Sequence, residues 1–152
     1  MLLGCGCCGR EAGRLLADRG WTVRGTSRSE DGRLLIAEAG LEAAFADPDR
    51  VGSVVELLGD VTALAWLLGS VAGDAGVGLH AERLGSLLEK LVDTPVRGFV
   101  FEAPPGGTGV ELVEDAAARW RIPTEVVSAS REDHEAWAQR VADAVERSVG
   151  LG

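Results

Sequence analysis

Tyrosine is absent from the sequence, and lysine occurs only once, at Lys90. The sequence also has no apolar run of about 18 residues, which a transmembrane helix would need. The N-terminus lacks the basic and apolar segments of a secretory signal peptide. We therefore expect a cytoplasmic protein without membrane contact. Because the sequence contains no tyrosine, its residues cannot carry out chemistry that needs a tyrosine hydroxyl.

An excess of positive charge is absent as well. Lys and Arg total 15 against 24 Asp and Glu, which gives a formal net charge of -9 at pH 7. This charge repels the phosphates of nucleic acids and of anionic membranes, so we expect neither as a partner. Charges of both signs are spread along the chain, which is typical of solvated helix faces.

Glycine, by contrast, is abundant, with 21 of the 152 residues. Gly4, Gly6 and Gly9 form a GxGxxG motif between a short apolar segment and a helical pattern. In a dinucleotide-binding unit the first glycine permits a tight turn, the second lets the backbone approach a pyrophosphate, and the third lets helix and strand pack closely. The motif therefore predicts a dinucleotide-binding turn; the alternative is a glycine-rich turn that binds nothing.

Strand and helix patterns alternate six times along the chain. The predicted strands cover residues 1–3, 21–26, 41–46, 63–68, 96–102 and 122–128. The predicted helices cover residues 10–19, 33–39, 51–58, 80–92 and 112–120, followed by a terminal helix capped by Ser130 or Asp133. This order predicts a three-layer, doubly wound parallel α/β sheet of the Rossmann type, with strand order 3-2-1-4-5-6. We expect a single domain over residues 1–152, without a separate substrate domain.

Three glycine-rich segments follow predicted strands, at residues 4–9, 69–78 and 104–109. Because the carboxyl ends of parallel strands share one edge of the sheet, we expect all three to be loops at that edge. Ligands of this fold bind there.

Residues 4–28, GCGCCGREAGRLLADRGWTVRGTSR, resemble the N-terminal dinucleotide-binding region of the NAD-dependent epimerase/dehydratase branch of the short-chain dehydrogenase/reductase superfamily. The resemblance is to atypical members with an arginine after the second strand, and past Gly40 it rests on the order of strands and helices. It implies that the three glycines of the motif hold the pyrophosphate of NAD or NADP. It also implies that Gly69 and Ser70 line the adenosine and nicotinamide ribose.

The end of the second strand selects the cofactor in such proteins. An acidic residue there binds the ribose of NAD, whereas arginine accommodates the 2′-phosphate of NADP. Thr26, Ser27 and Arg28 occupy this place, and the nearest acids, Glu30 and Asp31, lie beyond it. We therefore favour NADP over NAD; the alternative is that Arg28 is a solvated loop residue.

The catalytic residues of the family do not carry over. Its Tyr-x-x-x-Lys pair has no counterpart, because tyrosine is absent and Lys90 has no phenol partner. His80, after the segment 69–78, is a candidate acid or base, and Glu102, at the end of the fifth strand, is a candidate to orient it. The alternative for His80 is a solvated residue at a helix start. His134 is expected at the surface.

Two functions therefore remain open. One is a minimal oxidoreductase that acts on an unknown small molecule through His80 or Glu102. The other is a non-catalytic protein that binds a dinucleotide as a sensor or regulator of a partner. A homodimer through the outer faces of the last two helices is a further expectation.

All three cysteines lie in the predicted turn, where Cys7 and Cys8 are candidate cofactor contacts. A thiolate is favoured at a helix N-terminus, so a reactive thiol is one interpretation. Small packed thiols are the other, and we predict no metal site because no further cysteine or histidine cluster completes a zinc ligand set.

Overall fold

The computed structural model describes residues 1–71 and 73–151. Its six strands form one parallel sheet in the order β3-β2-β1-β4-β5-β6, which confirms the predicted doubly wound fold. The strands are β1 (Leu2–Leu3), β2 (Arg24–Ser27), β3 (Glu42–Phe45), β4 (Ala63–Trp66), β5 (Gly98–Ala103) and β6 (Thr124–Ser128).

Helices cover both faces of the sheet. They are α1 (Cys7–Asp18), α2 (Glu30–Glu38), α3 (Val51–Val55), α4 (Gly73–Gly78), α5 (Leu84–Leu91), α6 (Val110–Trp120) and α7 (His134–Ser148). A 3₁₀ turn follows α3 at Leu58–Asp60, and a π-helical segment, Leu79–Arg83, joins α4 to α5. No helix within the described residues is long and apolar enough to cross a bilayer.

The two faces of the sheet bury two apolar cores, because successive strand residues point to opposite sides. In β1, Leu2 belongs to the core that includes residues of α1 and α7, whereas Leu3 belongs to the core that includes residues of α5 and α6. All four residues of β4 are buried. This explains why the central strands have continuous apolar sequences rather than alternating ones.

The segment 69–78 is not a loop throughout, and this prediction was wrong. Helix α4 begins at Gly73, and the helix predicted to start at His80 continues from it; Ala72 lies outside the described residues. Glycine has a low helix propensity, which misled the sequence interpretation. Packing requires Gly76, since a Cβ there would lie 2.5 Å from the carbonyl oxygen of Val71.

Helix caps explain two further boundaries. Ser29 accepts a hydrogen bond from the N–H of Gly32 (3.0 Å), so α2 begins three residues before the predicted start. Asp133, one of the two predicted caps of α7, accepts from the N–H of Ala136 (3.0 Å).

Candidate functional site

Two glycines of the N-terminal motif sit where no side chain fits. Gly4 has φ +86°, and a Cβ there would overlap the carbonyl of Leu67 at the end of β4. A Cβ on Gly9 would lie 2.7 Å from the carbonyl oxygen of Gly4. The first glycine therefore makes the turn from β1, and the third lets α1 pack directly on that turn.

Gly6 differs from the other two because a Cβ at this position would have no heavy atom within 4 Å. It precedes α1, which has no side-chain cap and no acidic residue in its first turn. The first N–H groups of a helix have no partner within the helix and attract anions. The turn thus leaves open space in front of unused backbone donors.

This space is part of a cleft of about 430 Å³ at the carboxyl edge of the sheet. Among the predicted cofactor residues, those that line the cleft are Gly4, Gly6, Thr26, Ser27, Arg28 and Ser70. Those that do not line it are Cys7, Cys8, Gly9 and Gly69. Loops that are far apart in sequence therefore meet around one cleft.

At the end of β2, the three residues predicted to select the cofactor, Thr26, Ser27 and Arg28, differ in burial and in hydrogen bonding. The hydroxyl of Thr26 is buried and donates to the carbonyl oxygen of Leu2 (3.2 Å), so its hydrogen links β2 to β1. Ser27 and Arg28 remain in the cleft wall, and Arg28 is exposed. The acids that follow Arg28 in sequence, Glu30 and Asp31, do not line the cleft.

The cleft is more positive than the chain as a whole. Arg10, Arg28 and Arg131 line it, and Arg131 is paired with the buried Glu102. Asp49 is the one acid among the described lining residues, and its Oδ1 lies 3.7 Å from Nε of Arg83. Within the described residues, neither Arg10 nor Arg28 forms a salt bridge. A net charge of -9 therefore does not prevent this cleft from attracting an anion.

Sequence reasoning missed Arg131, which reaches the cleft from the segment between β6 and α7. Its Nε donates to Oε2 of Glu102 (2.9 Å), and its Nη2 donates to Oε1 of Glu102 (2.6 Å) and to the carbonyl oxygen of Leu67 (3.2 Å). Its guanidinium also lies over the ring of Trp137, 4.4 Å from the ring centre. No local pattern reveals such a residue, because its partners lie 29 and 64 positions away.

Glu102 is fully buried and does not orient His80, contrary to the sequence prediction. Its carboxylate accepts from Arg131, from Nε1 of Trp137 (2.8 Å) and from the N–H of Gly69 (2.8 Å). These bonds satisfy both carboxylate oxygens. Glu102 therefore connects β5, α7 and the segment after β4, and so holds the cleft wall in place.

His80 is buried with 2% of its surface exposed, and is therefore not the solvated helix-start residue considered as an alternative. Nε1 of Trp66 donates to its Nδ1 (3.4 Å), and its ring packs edge-on against Phe101. Burial lowers the pKa of His80 and favours the neutral ring, although the carbonyls of Leu68 and Val71 act in the opposite direction. Its Nε2 is buried and has no hydrogen-bond partner among the described residues.

His80 lines a second cavity, of about 420 Å³, which we call the His80 cavity. Its walls are formed by Gly69, Ser70, Val71, Gly76, Val77, His80, Pro104, Pro105, Thr108 and Ala129. Ser70 and Val71 also line the cleft, so the two spaces share a wall. His134, in contrast, is exposed at the start of α7, as predicted.

The cysteines differ in accessibility, which gives a first prediction. Cys7 is exposed, whereas Cys5 and Cys8 are buried, and burial raises the pKa of Cys5 to about 11. We expect iodoacetamide to alkylate Cys7 on the order of tenfold or more faster than the other two, since the accessible thiolate is the reactive form. Peptide mass spectrometry measures this, with Cys7→Ser as control. Equal rates at all three thiols in the folded protein would contradict the structure.

The sequence matches no protein-family model and no curated protein. The fold, however, is similar to solved reductases and epimerases. The triphenylmethane reductase of Citrobacter sp., complexed with NADP(H), matches with a TM-score of 0.67 and 15% identity, over 82% of this chain and 47% of that chain. A UDP-glucuronic acid 4-epimerase from Bacillus cereus, in complex with NAD, matches with a TM-score of 0.64 and 14% identity, over 84% of this chain and 55% of that chain.

A putative betaketoacyl-ACP reductase matches with a TM-score of 0.70 and 19% identity, over 98% of this chain and 91% of that chain. By contrast, the chain spans only about half the length of the triphenylmethane reductase and of the epimerase. At these identities the similarity establishes the fold. The resemblance inferred from the glycine motif is confirmed at that level.

Proposed function

We propose that this protein binds a nicotinamide dinucleotide, NADP(H) in preference to NAD(H), in the cleft at the carboxyl edge of the sheet. The observation that carries the proposal is the contrast among the three glycines of the motif. Gly4 and Gly9 are packed too tightly for any side chain, whereas Gly6 faces open space in front of the N-terminus of α1. A pyrophosphate needs this combination of a tight turn and an open backbone.

The preference for NADP(H) rests on the charges at the end of β2. Arg28 is exposed in the cleft wall and has no acidic partner among the described residues, so its guanidinium is free to bind a 2′-phosphate with paired hydrogen bonds. The acid that would bind the ribose of NAD is missing from this wall, because Glu30 and Asp31 lie outside it.

Different residues around the cleft would contact different parts of the dinucleotide. The backbone of Gly6 and the first N–H groups of α1 would hold the pyrophosphate, with Arg10 supplying positive charge. Glu102 holds Arg131, another lining residue, in place through two hydrogen bonds. When bound, the nicotinamide would supply a hydride donor or acceptor.

The test is a titration of the protein with NADPH and with NADH, followed by tryptophan quenching and energy transfer to the nicotinamide. We expect tighter binding of NADPH. Arg28→Ala should weaken NADPH binding roughly tenfold to a hundredfold, which corresponds to about 1.5–3 kcal/mol for hydrogen bonds to a charged group, and should leave NADH binding unchanged.

Arg14→Ala is the matched control, because Arg14 is exposed on α1 and does not line the cleft. Equal binding of the two dinucleotides, unaffected by Arg28→Ala, would overturn the preference for NADP(H) and the role of Arg28 in it. No binding of either would overturn the proposal.

Whether the bound dinucleotide reacts is a separate question. The His80 cavity beside the cleft supports a minimal oxidoreductase with an unknown small-molecule substrate. The lack of tyrosine supports the second candidate, a non-catalytic sensor or regulator, because the family's acid/base residue is missing. Loss of turnover in His80→Ala with NADPH binding intact would support the enzyme, whereas absence of turnover across substrate panels would support the sensor.

A further inference from the structure

We infer that a groove at the amino edge of the sheet, opposite the dinucleotide cleft, binds a small organic anion that combines an apolar body with a phosphate or carboxylate group. The groove measures about 580 Å³ and lies between the starts of β5 and β6 and the last turns of α5, α6 and α7. We call it the arginine groove, after Arg97, Arg121 and Arg147 in its wall. No described residue lines both this groove and the cleft, so the inference is independent of the proposed function.

The three arginines of the groove leave most of their N–H groups without a partner. Within the described residues, neither Arg97 nor Arg121 forms a salt bridge. Arg147 uses its Nε for Oε2 of Glu125 (3.2 Å), a residue that does not line the groove. No acidic side chain is found among the described lining residues, so the groove is a positive region on a chain of net charge -9.

Cations are expected near the ends of helices, because the last carbonyls of a helix are partly negative. In that role an arginine would donate to those carbonyls. None of the three groove arginines donates to a backbone carbonyl among the described residues, whose arginine-to-carbonyl hydrogen bonds come from Arg24, Arg33, Arg131 and Arg140. The guanidinium groups are therefore available to a ligand.

Arg121 has a backbone conformation that favours glycine. It ends α6 with φ +56° and ψ +39°, and it is the one residue other than glycine with a positive φ among those described. Helices that end in this conformation usually carry glycine there, because a Cβ is strained. Strained residues of this kind cluster at ligand sites. The strain at this position is explained if the guanidinium of Arg121 is needed for binding.

Much of the remaining wall is apolar, which determines the second half of the ligand. Leu91 and Val96 are buried, whereas Trp120, Ile122 and Val149 are half-buried and keep part of their surface in the groove. An apolar body would cover this surface, and the planar guanidinium groups would bind a phosphate or carboxylate with paired hydrogen bonds.

The backbone that carries the groove is held in place without a ligand. The N–H of Arg97 donates to the carbonyl oxygen of Thr62 (2.7 Å). Oγ1 of Thr94 donates to the carbonyl oxygen of Leu91 (2.7 Å) and accepts from the N–H of Val96 (3.3 Å). Binding therefore does not have to order the segment between α5 and β5.

The test is a titration followed by ¹H–¹⁵N correlation spectra, with 1-naphthyl phosphate and 1-naphthoate as the phosphate and carboxylate probes. We expect at least one of them to shift the amides of the arginine groove and the indole N–H of Trp120, but not the indole N–H groups of the buried Trp66 and Trp137. The tighter of the two identifies the acidic group. Uncharged 1-naphthol and inorganic phosphate, which each lack one half of the ligand, should bind roughly tenfold more weakly or worse.

Arg121→Gly should weaken binding of the tighter probe on the order of tenfold or more without lowering the melting temperature, since glycine fits the backbone at this position. A merely structural role of Arg121 would not produce that combination. Arg97→Ala should weaken binding likewise, whereas Arg14→Ala, which changes an exposed arginine on α1 outside the groove, should leave binding unchanged.

The inference is overturned if neither probe shifts the groove resonances, if the shifts are confined to the dinucleotide cleft, or if Arg121→Gly and Arg97→Ala bind as the unmodified protein does. Because no dinucleotide is added, probe binding in the groove without NADPH binding would retain this site and remove the proposed function.

Discussion

Replacing Glu102 with alanine is expected to lower the free energy of unfolding by about 3 to 5 kcal/mol, the usual effect of removing one partner of a buried ion pair. Glu102 is fully buried, and its carboxylate is the acceptor for Arg131, Trp137 and the N–H of Gly69. The variant leaves the indole and the backbone N–H without partners, and it releases the guanidinium that reaches Leu67.

Urea unfolding followed by circular dichroism measures this difference. The matched control is Glu125→Ala, since Glu125 pairs with Arg147 at 3.2 Å but the two side chains are 32% and 48% exposed. That variant should change the free energy of unfolding by less than about 1 kcal/mol. Similar losses in the two variants would show that the Glu102 hydrogen bonds do not have the stabilising role assigned to them.

Substituting Gly6 with aspartate is expected to abolish dinucleotide binding, with at least a hundredfold loss of affinity and no loss of stability. Gly6 has φ -76° and ψ -158°, which any residue adopts, and a Cβ there meets no atom. Aspartate is a favourable residue at this position before a helix. Its charge would stand where the pyrophosphate must lie, and a like-charge contact of this kind costs several kcal/mol, or roughly a hundredfold and more in affinity.

Two control variants distinguish the effect of the added charge from the effects of side-chain volume and of position in the chain. Gly6→Ser has a capping side chain without charge, so its NADPH affinity should lie between those of the unmodified protein and Gly6→Asp. Gly52→Asp adds the same charge in α3, where a Cβ also meets no atom, and should leave NADPH binding unchanged. If a folded Gly6→Asp protein retained NADPH binding, the pyrophosphate would not lie in front of Gly6, and the proposed binding mode would be wrong.

Much of the fold follows from local sequence patterns. Apolar strands that alternate with amphipathic helices along the chain predict a parallel sheet. The strand order then follows from the rule that connections between parallel strands are short and right-handed. The roles of Gly4 and Gly9 follow from the motif, because the turn it encodes closes within six residues. Arg28 is placed by its distance from the end of β2. These features depend on neighbours in the chain.

The sequence interpretation missed helix α4 because it relied on local helix propensity. Its glycines weigh against a helix in any local estimate, yet packing of Gly76 on the carbonyl of Val71 requires one of them. Local propensity therefore failed where close packing selected the residue.

The chemistry of the two cavities was decided by tertiary structure. From sequence, Glu102 was a candidate to orient His80; in the fold its hydrogen bonds go to Arg131, Trp137 and Gly69 instead. His80 was considered as a solvated residue, yet it is buried against Trp66. The sequence by itself determined the glycine turn and the arginine beside it, because these depend on contacts within one or two elements. It also determined the strand order, because the alternation of strands and helices allows few ways of connecting a doubly wound sheet. Only the assembled sheet determined which side chains are buried and paired, because those partners lie tens of residues apart and meet only when the strands are aligned.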